Sequence, residues 1–255
     1  MLFDTPPSAY LFDLDGVFYV GDELIPGGIE VLEKLGQHKI PYRFITNTTT
    51  QNRKSLTQKL QSLGMPVTAG QVISAAYAGV LKLRSYGNPT CELLLQEDAK
   101  ADYTEFVKDE ENPQVIIIGD LDSQWTFEIL NNTFNKVLNG TKMIALHKGR
   151  FFKVKDGLQI DSGAFVEAIE YAASTSADVV GKPSASFFEL ALADMEIEDR
   201  SRVVMVGDDL INDVEGAQKA GLMGVLVKTG KYRTDIVEQS HIQPDAIIGS
   251  IADLF

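Results

Sequence analysis

The sequence predicts an α/β protein: a parallel sheet covered by helices, with a second, smaller α/β unit inserted into it. Three observations carry this prediction. Short apolar runs alternate with stretches of helical period along the chain. The first 64 residues read strand, helix, strand, helix, the pattern of a parallel sheet. The pattern then breaks at Gly87-Asn88-Pro89 and resumes near Val179, which sets residues 79–178 apart from 1–78 and 179–255.

The elements follow in order. Residues 10–20, YLFDLDGVFYV, open as an apolar strand that ends in Asp13 and Asp15. If the strand persists, the two carboxylates point to one face, and Gly16 then lets the chain turn. Pro26 precedes a helix over 27–39, with Ile29, Val31, Leu32 and Leu35 at helical spacing. Residues 41–45 form a second strand and end in Thr46-Asn47-Thr48-Thr49. A helix over 51–63 places Leu56, Leu60 and Leu63 on one face and closes at Gly64, and a third helix covers 72–86. The inserted unit reads as a strand at 91–95, an acidic segment over 97–111 and a strand at 115–118. A helix over 124–138, a strand at 143–146 and a helix over 163–173 complete it. Residues 86–89 and 174–177 are its expected hinges. Helix 184–195, strand 202–206, helix 210–220, strand 223–227 and an apolar segment at 246–248 restore the larger pattern. Right-handed crossovers bring the ends of the parallel strands to one sheet edge, where such sheets bind ligands.

Composition narrows the function. A formal charge of −13 with no basic tract argues against a nucleic-acid partner. One cysteine, Cys91, excludes an internal disulfide and suits a reducing compartment. The opening residues lack a basic, apolar leader, and no run reaches the roughly 18 apolar residues of a membrane span. A soluble, cytoplasmic protein is expected, with no membrane partner.

Four features stand at strand ends or helix starts: Asp13 with Asp15, Thr46-Asn47, Lys182, and Asp208-Asp209 with Asp213. Singly, each has an ordinary structural role. Asp13 or Asp15 is a turn residue, Thr46 a cap, Lys182 a loop lysine, and Asp208 or Asp209 a helix N-cap. Together those roles fail, because five carboxylates at one sheet edge repel without a counter-charge. A hard divalent cation with oxygen ligands, Mg²⁺ above all, meets that need, and Lys182 adds a second positive charge. Such a set suits a phosphoryl group.

Asp13-Leu14-Asp15-Gly16-Val17, Thr46-Asn47, Lys182-Pro183 and Gly207-Asp208-Asp209 with Asp213 resemble, in order, the four motifs of the haloacid dehalogenase-like phosphatases. The insertion resembles the α/β cap of the subgroup that includes NagD-type and 4-nitrophenyl phosphatases. Asn47 and the run Val227-Lys228-Thr229-Gly230-Lys231-Tyr232 resemble one narrower branch of it. The resemblance implies a Rossmann-like three-layer core with an inserted smaller cap domain. It implies an Mg²⁺-dependent phosphatase in which Asp13 attacks phosphorus and Asp15, its pKa raised by burial beside Asp13, is the general acid and base. Asp13, the Asp15 backbone carbonyl and Asp208 would hold the metal, with Asp209 and Asp213 behind them or reaching it through water. Gly16, Thr46, Asn47 and Lys182 would bind the substrate, a small phosphorylated metabolite.

A phosphorylation switch of the receiver type also uses an acceptor aspartate, an acidic pair, a threonine and a lysine. There the acidic pair precedes the acceptor, whereas here it follows by almost 200 residues. A phosphomutase would share the first step and pass the phosphoryl group to a sugar. A binding protein on this scaffold would be expected to lose Asp13 or Lys182, and both are present. Specificity is expected from the cap, through His147, Lys148 and Arg150 and through Gly119-Asp120, with Trp125 and Phe127 in the cap core. Cys91 is expected to be a buried small apolar residue, and a homodimer through the cap is allowed by the resemblance.

Overall fold

The computed structural model describes residues 2–3, 5–154 and 157–255. Its strands are β1 (Ala9–Phe12), β2 (Tyr19–Val20), β3 (Glu23–Leu24), β4 (Tyr42–Thr46), β5 (Val72–Ser74), β6 (Cys91–Leu94), β7 (Val115–Ile118), β8 (Lys142–Ala145), β9 (Phe151–Val154), β10 (Gly157–Ile160), β11 (Asp178–Val179), β12 (Val203–Gly207), β13 (Met223–Val227) and β14 (Ala246–Ile248). Its α-helices are α1 (Gly28–Gln37), α2 (Arg53–Ser62), α3 (Ala75–Ser85), α4 (Glu97–Lys100), α5 (Phe127–Leu138), α6 (Ser162–Ala173), α7 (Ala185–Asp194), α8 (Gly216–Lys219) and α9 (Thr234–Gln239). Two compact units result, one of Met1–Thr46, Leu56–Ile73 and Lys182–Phe255, the other of Asn47–Ser55 and Ser74–Gly181.

The first unit is an α/β, Rossmann-like core around a six-stranded sheet in the order β14-β13-β12-β1-β4-β5. β1 runs parallel to both neighbours, with Phe12 opposite Val206 on β12 and Phe44 on β4. Every residue of β1 and β12 is buried, which is why both read as unbroken apolar runs. From β1 the chain goes to one side of the sheet for β4 and returns on the other for β12. The carboxyl ends of β1 and β12 therefore flank a topological switch point. α1 buries Val31, Leu32 and Leu35 in the main cluster with Phe12, Phe18 and Phe44. The Phe18 ring meets Phe12 and Phe44 edge-on at 5.3 and 5.2 Å between centroids.

The second unit holds a parallel four-stranded sheet, β11-β8-β7-β6, and an antiparallel hairpin, β9-β10. α5 and α6 pack Val137, Val166 and Ile169 against Ile116, Ile118 and Met143 of its sheet.

Several expectations change. The helix expected over 72–86 begins only at Ala75, because Val72, Ile73 and Ser74 form an edge strand and Ser74 then caps the helix by accepting from the Tyr77 N–H. The hairpins β2-β3 and β9-β10 are too short to impose a period and were not expected from sequence. Phe127 is 82% exposed at the start of α5, whereas Trp125 stacks on Phe165 at 4.6 Å. The units part after Ile73 and after Gly181 instead of at 78 and 178. Val180 explains the later break, since its N–H donates to Ala145 in the second unit's sheet. Residues 47–55 join the second unit because Asp98 accepts from the Asn52 N–H and Asp102 from the Arg53 N–H. Among the described residues no helix is long and apolar enough to cross a membrane.

Candidate active site

β1 delivers Asp13 to the sheet edge, where its N–H continues the ladder by donating to Val206 at 2.9 Å. β12 delivers Asp208 one residue past Gly207. Asp213 follows on a turn of π-helix, Leu210–Glu215, and its carboxylate lies so near the backbone that a Cβ on Gly207 would sit 2.2 Å from its Oδ2. Lys182 opens the last segment of this unit. All four side chains are buried, and one oxygen each of Asp13, Asp208 and Asp213 lies within 4.8 Å of the others.

Lys182 Nζ bridges two of them, at 2.8 Å from Asp13 Oδ1 and 2.7 Å from Asp213 Oδ1. Burial alone would lower its pKa, but Asp13 and Asp213 outweigh burial and hold the ammonium above its ordinary value. Asp13 Oδ1 also accepts from the Leu14 N–H at 2.9 Å. Asp213 Oδ2 accepts from the Asp209 N–H at 3.1 Å, so both oxygens of Asp213 are engaged. Asp208 differs. Its Oδ2 accepts from the Lys231 N–H at 2.7 Å, while its buried Oδ1 has no hydrogen-bond partner among the described residues. Burial pushes its carboxyl up to about 6, with the nearby Asp13 charge adding to the effect and Lys231 opposing it.

The three buried carboxylates thus outnumber the one buried ammonium among them, and burial raises the Asp213 carboxyl as well, against the opposing pull of Lys182. The partnerless Asp208 oxygen and the raised carboxyl are what a hard divalent cation would resolve. The residues present fit such an ion.

The other expected site residues fall as follows. Asp15 is exposed, not buried beside Asp13. The strand stops at Phe12, and a tight turn follows in which the Phe18 N–H donates to Leu14 and the Gly16 N–H to Tyr19. Alternation therefore does not carry Asp15 onto the face of Asp13. Its carboxylate lies outside the buried trio, in which Asp213 stands instead. Gly16 has φ +80, and a Cβ there would sit 2.0 Å from Asp208 Oδ2, so the bare backbone admits the Asp208 carboxylate. Asp209 precedes the helical turn that carries Asp213 and caps it. Its carboxylate accepts from the N–H groups of Ile211 and Asn212 and from the Asn212 side chain. Thr46 ends β4, at the same sheet edge as Asp13.

Asn47 begins the second unit. There a Cβ on Gly181 would lie 3.0 Å from Asn47 Oδ1 and 3.2 Å from His147 Cβ, so these two expected residues are close neighbours. His147 Nδ1 accepts from the Gly149 N–H at 2.9 Å, and its Nε2 lies 3.7 Å from Asp161 Oδ1. Burial lowers its pKa, against the pull of Asp161 and Asp120. Lys148 is held by Glu167 and Glu170 at 2.5 and 2.7 Å, so its charge is matched within its own unit. Arg150 is exposed. Asp120 turns its carboxylate to the Asp122 N–H. Cys91 is buried, as expected.

Thr229, Gly230 and Lys231 were not expected as site residues. They follow β13 directly, and a parallel strand beside β12 must release its chain at the same edge as Asp208. That adjacency was the one signal that could have found them.

Residues 10–106 match a family model described as haloacid dehalogenase-like hydrolase, and residues 179–254 match a second, HAD-hydrolase-like model. The haloacid dehalogenase-like hydrolase domain-containing protein 2 of Homo sapiens is 37% identical over 238 residues, 93% of this chain and 90% of that protein. The phospholysine phosphohistidine inorganic pyrophosphate phosphatase of Danio rerio is 34% identical over 248 residues, 95% and 90% of the two chains. Among solved structures, the 4-nitrophenylphosphatase of Thermotoga maritima superposes with a TM-score of 0.88 at 28% identity, covering 97% of this chain and 96% of its own. NagD of E. coli shares the fold, with a TM-score of 0.89 at 23% identity over 98% of this chain and 99% of its own. With relatives this similar along almost its whole length, the chain belongs to the haloacid dehalogenase-like hydrolases and is an enzyme of that family.

Proposed function

We propose that the chain is an Mg²⁺-dependent phosphatase that hydrolyses small phosphate monoesters through a phospho-aspartate at Asp13. The observation that carries this reading is the excess of buried carboxylate over ammonium at the end of β1, with one oxygen of Asp208 unsatisfied. Asp13, Asp208 and the backbone carbonyl of Asp15 would hold Mg²⁺, while Asp213, with both oxygens engaged, would orient Lys182 and the start of its own helix. Bound there, Mg²⁺ supplies positive charge to the phosphoryl oxygens.

The chain's own residues then divide the work. The contacts from Leu14 and Lys182 fall on Asp13 Oδ1, which leaves Oδ2 as the attacking oxygen. Its attack forms an O–P bond and breaks the ester P–O bond, and Asp15 gives its proton to the leaving oxygen. Asp15 next takes a proton from water, whose oxygen attacks phosphorus, breaks the acyl phosphate and frees Asp13. Lys182, Thr46 and Asn47 are the donors for the phosphoryl oxygens, and Gly16 contributes by leaving room for Asp208. The second unit is read as the cap that selects the substrate, with His147 and Arg150 as its contacts. Phosphoramidates and pyrophosphate belong among the candidates because the Danio rerio relative is named for them.

The test is phosphate release from a panel of small phosphate esters, phosphoramidates and pyrophosphate, with Mg²⁺ and with chelator. Release that requires Mg²⁺ is expected. Equal release in chelator, or transfer to a sugar without release, would contradict the proposal.

A further inference from the structure

Asp208 is held in a way that neither the sheet nor a helix requires. β12 and β13 are parallel neighbours, with Gly207 opposite Leu226, so Asp208 and the segment after Val227 leave the sheet side by side. The Lys231 N–H donates to Asp208 Oδ2 at 2.7 Å. A Cβ on Gly230 would lie 2.0 Å from that same oxygen, as would one on Gly16, which follows the carboxyl end of β1. Oδ2 therefore rests against two backbone positions without side chains. The Thr229 hydroxyl donates to the Gly16 carbonyl and joins those two positions, 213 residues apart in sequence. They approach so closely that a Cβ on Gly230 would also meet Gly16 Cα at 2.6 Å.

We propose that Thr229, Gly230 and the Lys231 backbone form a clamp that fixes Asp208 by Oδ2, so that its buried, partnerless Oδ1 is presented ready-oriented to the metal. Thr229 and Gly230 are on this account positioning residues for metal binding, and the inference rests on the Mg²⁺ reading above. A ligand carboxylate locked in its binding rotamer loses no further freedom when the ion arrives, and outer contacts of this kind set affinity. The contrast with Asp209 supports the assignment. Both carboxylate oxygens of Asp209 accept from the start of its own helix, and its Oδ2 also lies 3.6 Å from the Lys231 ammonium, so neither is left partnerless as Asp208 Oδ1 is.

The test is Mg²⁺ binding to the full chain, read by calorimetry and by thermal shift, for the unaltered protein and for Thr229→Val, Thr229→Ser and Gly230→Ala. Thr229→Val keeps the shape and removes the donor, and it should weaken Mg²⁺ binding about 10-fold. Thr229→Ser, which restores the hydroxyl, should bind close to normally. Gly230→Ala should lose more, since its methyl would occupy the place of Asp208 Oδ2. In turnover, the Mg²⁺ concentration for half-maximal rate should rise more than kcat falls. Thr229→Val with unaltered Mg²⁺ affinity would overturn the clamp, as would Thr229→Ser as impaired as Thr229→Val. An unaltered protein that binds no Mg²⁺ would overturn the metal reading itself, and does so before any variant is compared.

Discussion

Lys182 is surrounded more by charge than by space. Its ammonium stands between Asp13 and Asp213, inside the unit and away from water. Lys182→Met keeps the stem and leaves the two carboxylates facing each other, so it should cost about 3–5 kcal/mol in urea unfolding of the metal-free protein. It should also abolish turnover. Asp208 adds a pH signature. Its folded-state value of about 6 lies above the ordinary 3.8, so between these the folded chain keeps a proton that the unfolded chain has released. Its contribution to metal-free stability is therefore complete at acid pH and lost as pH rises through about 6. Mg²⁺ competes for the same carboxylate, so the rise in Tm on adding Mg²⁺ should be much larger at pH 7.5 than at pH 5. His147, with its lowered value, moves stability in the opposite sense with pH. Taking the difference with and without Mg²⁺ at each pH removes it. Asp13, Lys182 and Asp208 were legible in sequence because each follows a strand or opens a segment at one sheet edge. The exposure of Asp15 was not, because it depends on where β1 stops, and Phe12 and Leu14 are both buried apolar residues that do not mark the end. The hydrogen bond from Thr229 to Gly16 was not legible either, since only the assembled sheet brings these two residues together.

At the scale of elements, long periods were readable and short ones were not. α1, α7, β7 and β13 stand within a residue or two of their expected bounds because each presents a full apolar face or run. The helix expected over 210–220 is divided into a π-turn and α8, a change of winding that leaves the apolar pattern intact and so leaves no mark in it. Val72–Ser74 shows the opposite case, three residues that fit a helical period but complete the edge of a sheet. Phe44 and Phe127 make the packing claim testable. Phe44, fully buried between Phe12 and Phe18, should cost about 3–5 kcal/mol as Phe44→Ala. Phe127→Ala, at an exposed position, should change stability by less than about 0.5 kcal/mol. Chemical denaturation of both variants checks the pair.

At the scale of the whole chain, an acidic protein of formal charge −13 is proposed to handle an anionic substrate. That is consistent only if positive charge is concentrated where the phosphoryl group sits, through Lys182 and a bound cation. If the second unit selects the substrate, alanine at both His147 and Arg150 should reorder the preferred esters, measured as relative kcat/KM across the panel. Lys148 is excluded from that pair because Glu167 and Glu170 already hold it. An unchanged ranking would remove the second unit from specificity. In the proposed reaction Asp13 bonds to phosphorus. The most direct measurement is acid quenching during turnover with Mg²⁺, followed by mass spectrometry of the peptide that contains Asp13. A phosphoryl group on Asp13 is expected, and it should disappear together with turnover in Asp13→Asn; turnover that survives in Asp13→Asn, or a phosphoryl group carried elsewhere, would show that Asp13 is not the nucleophile.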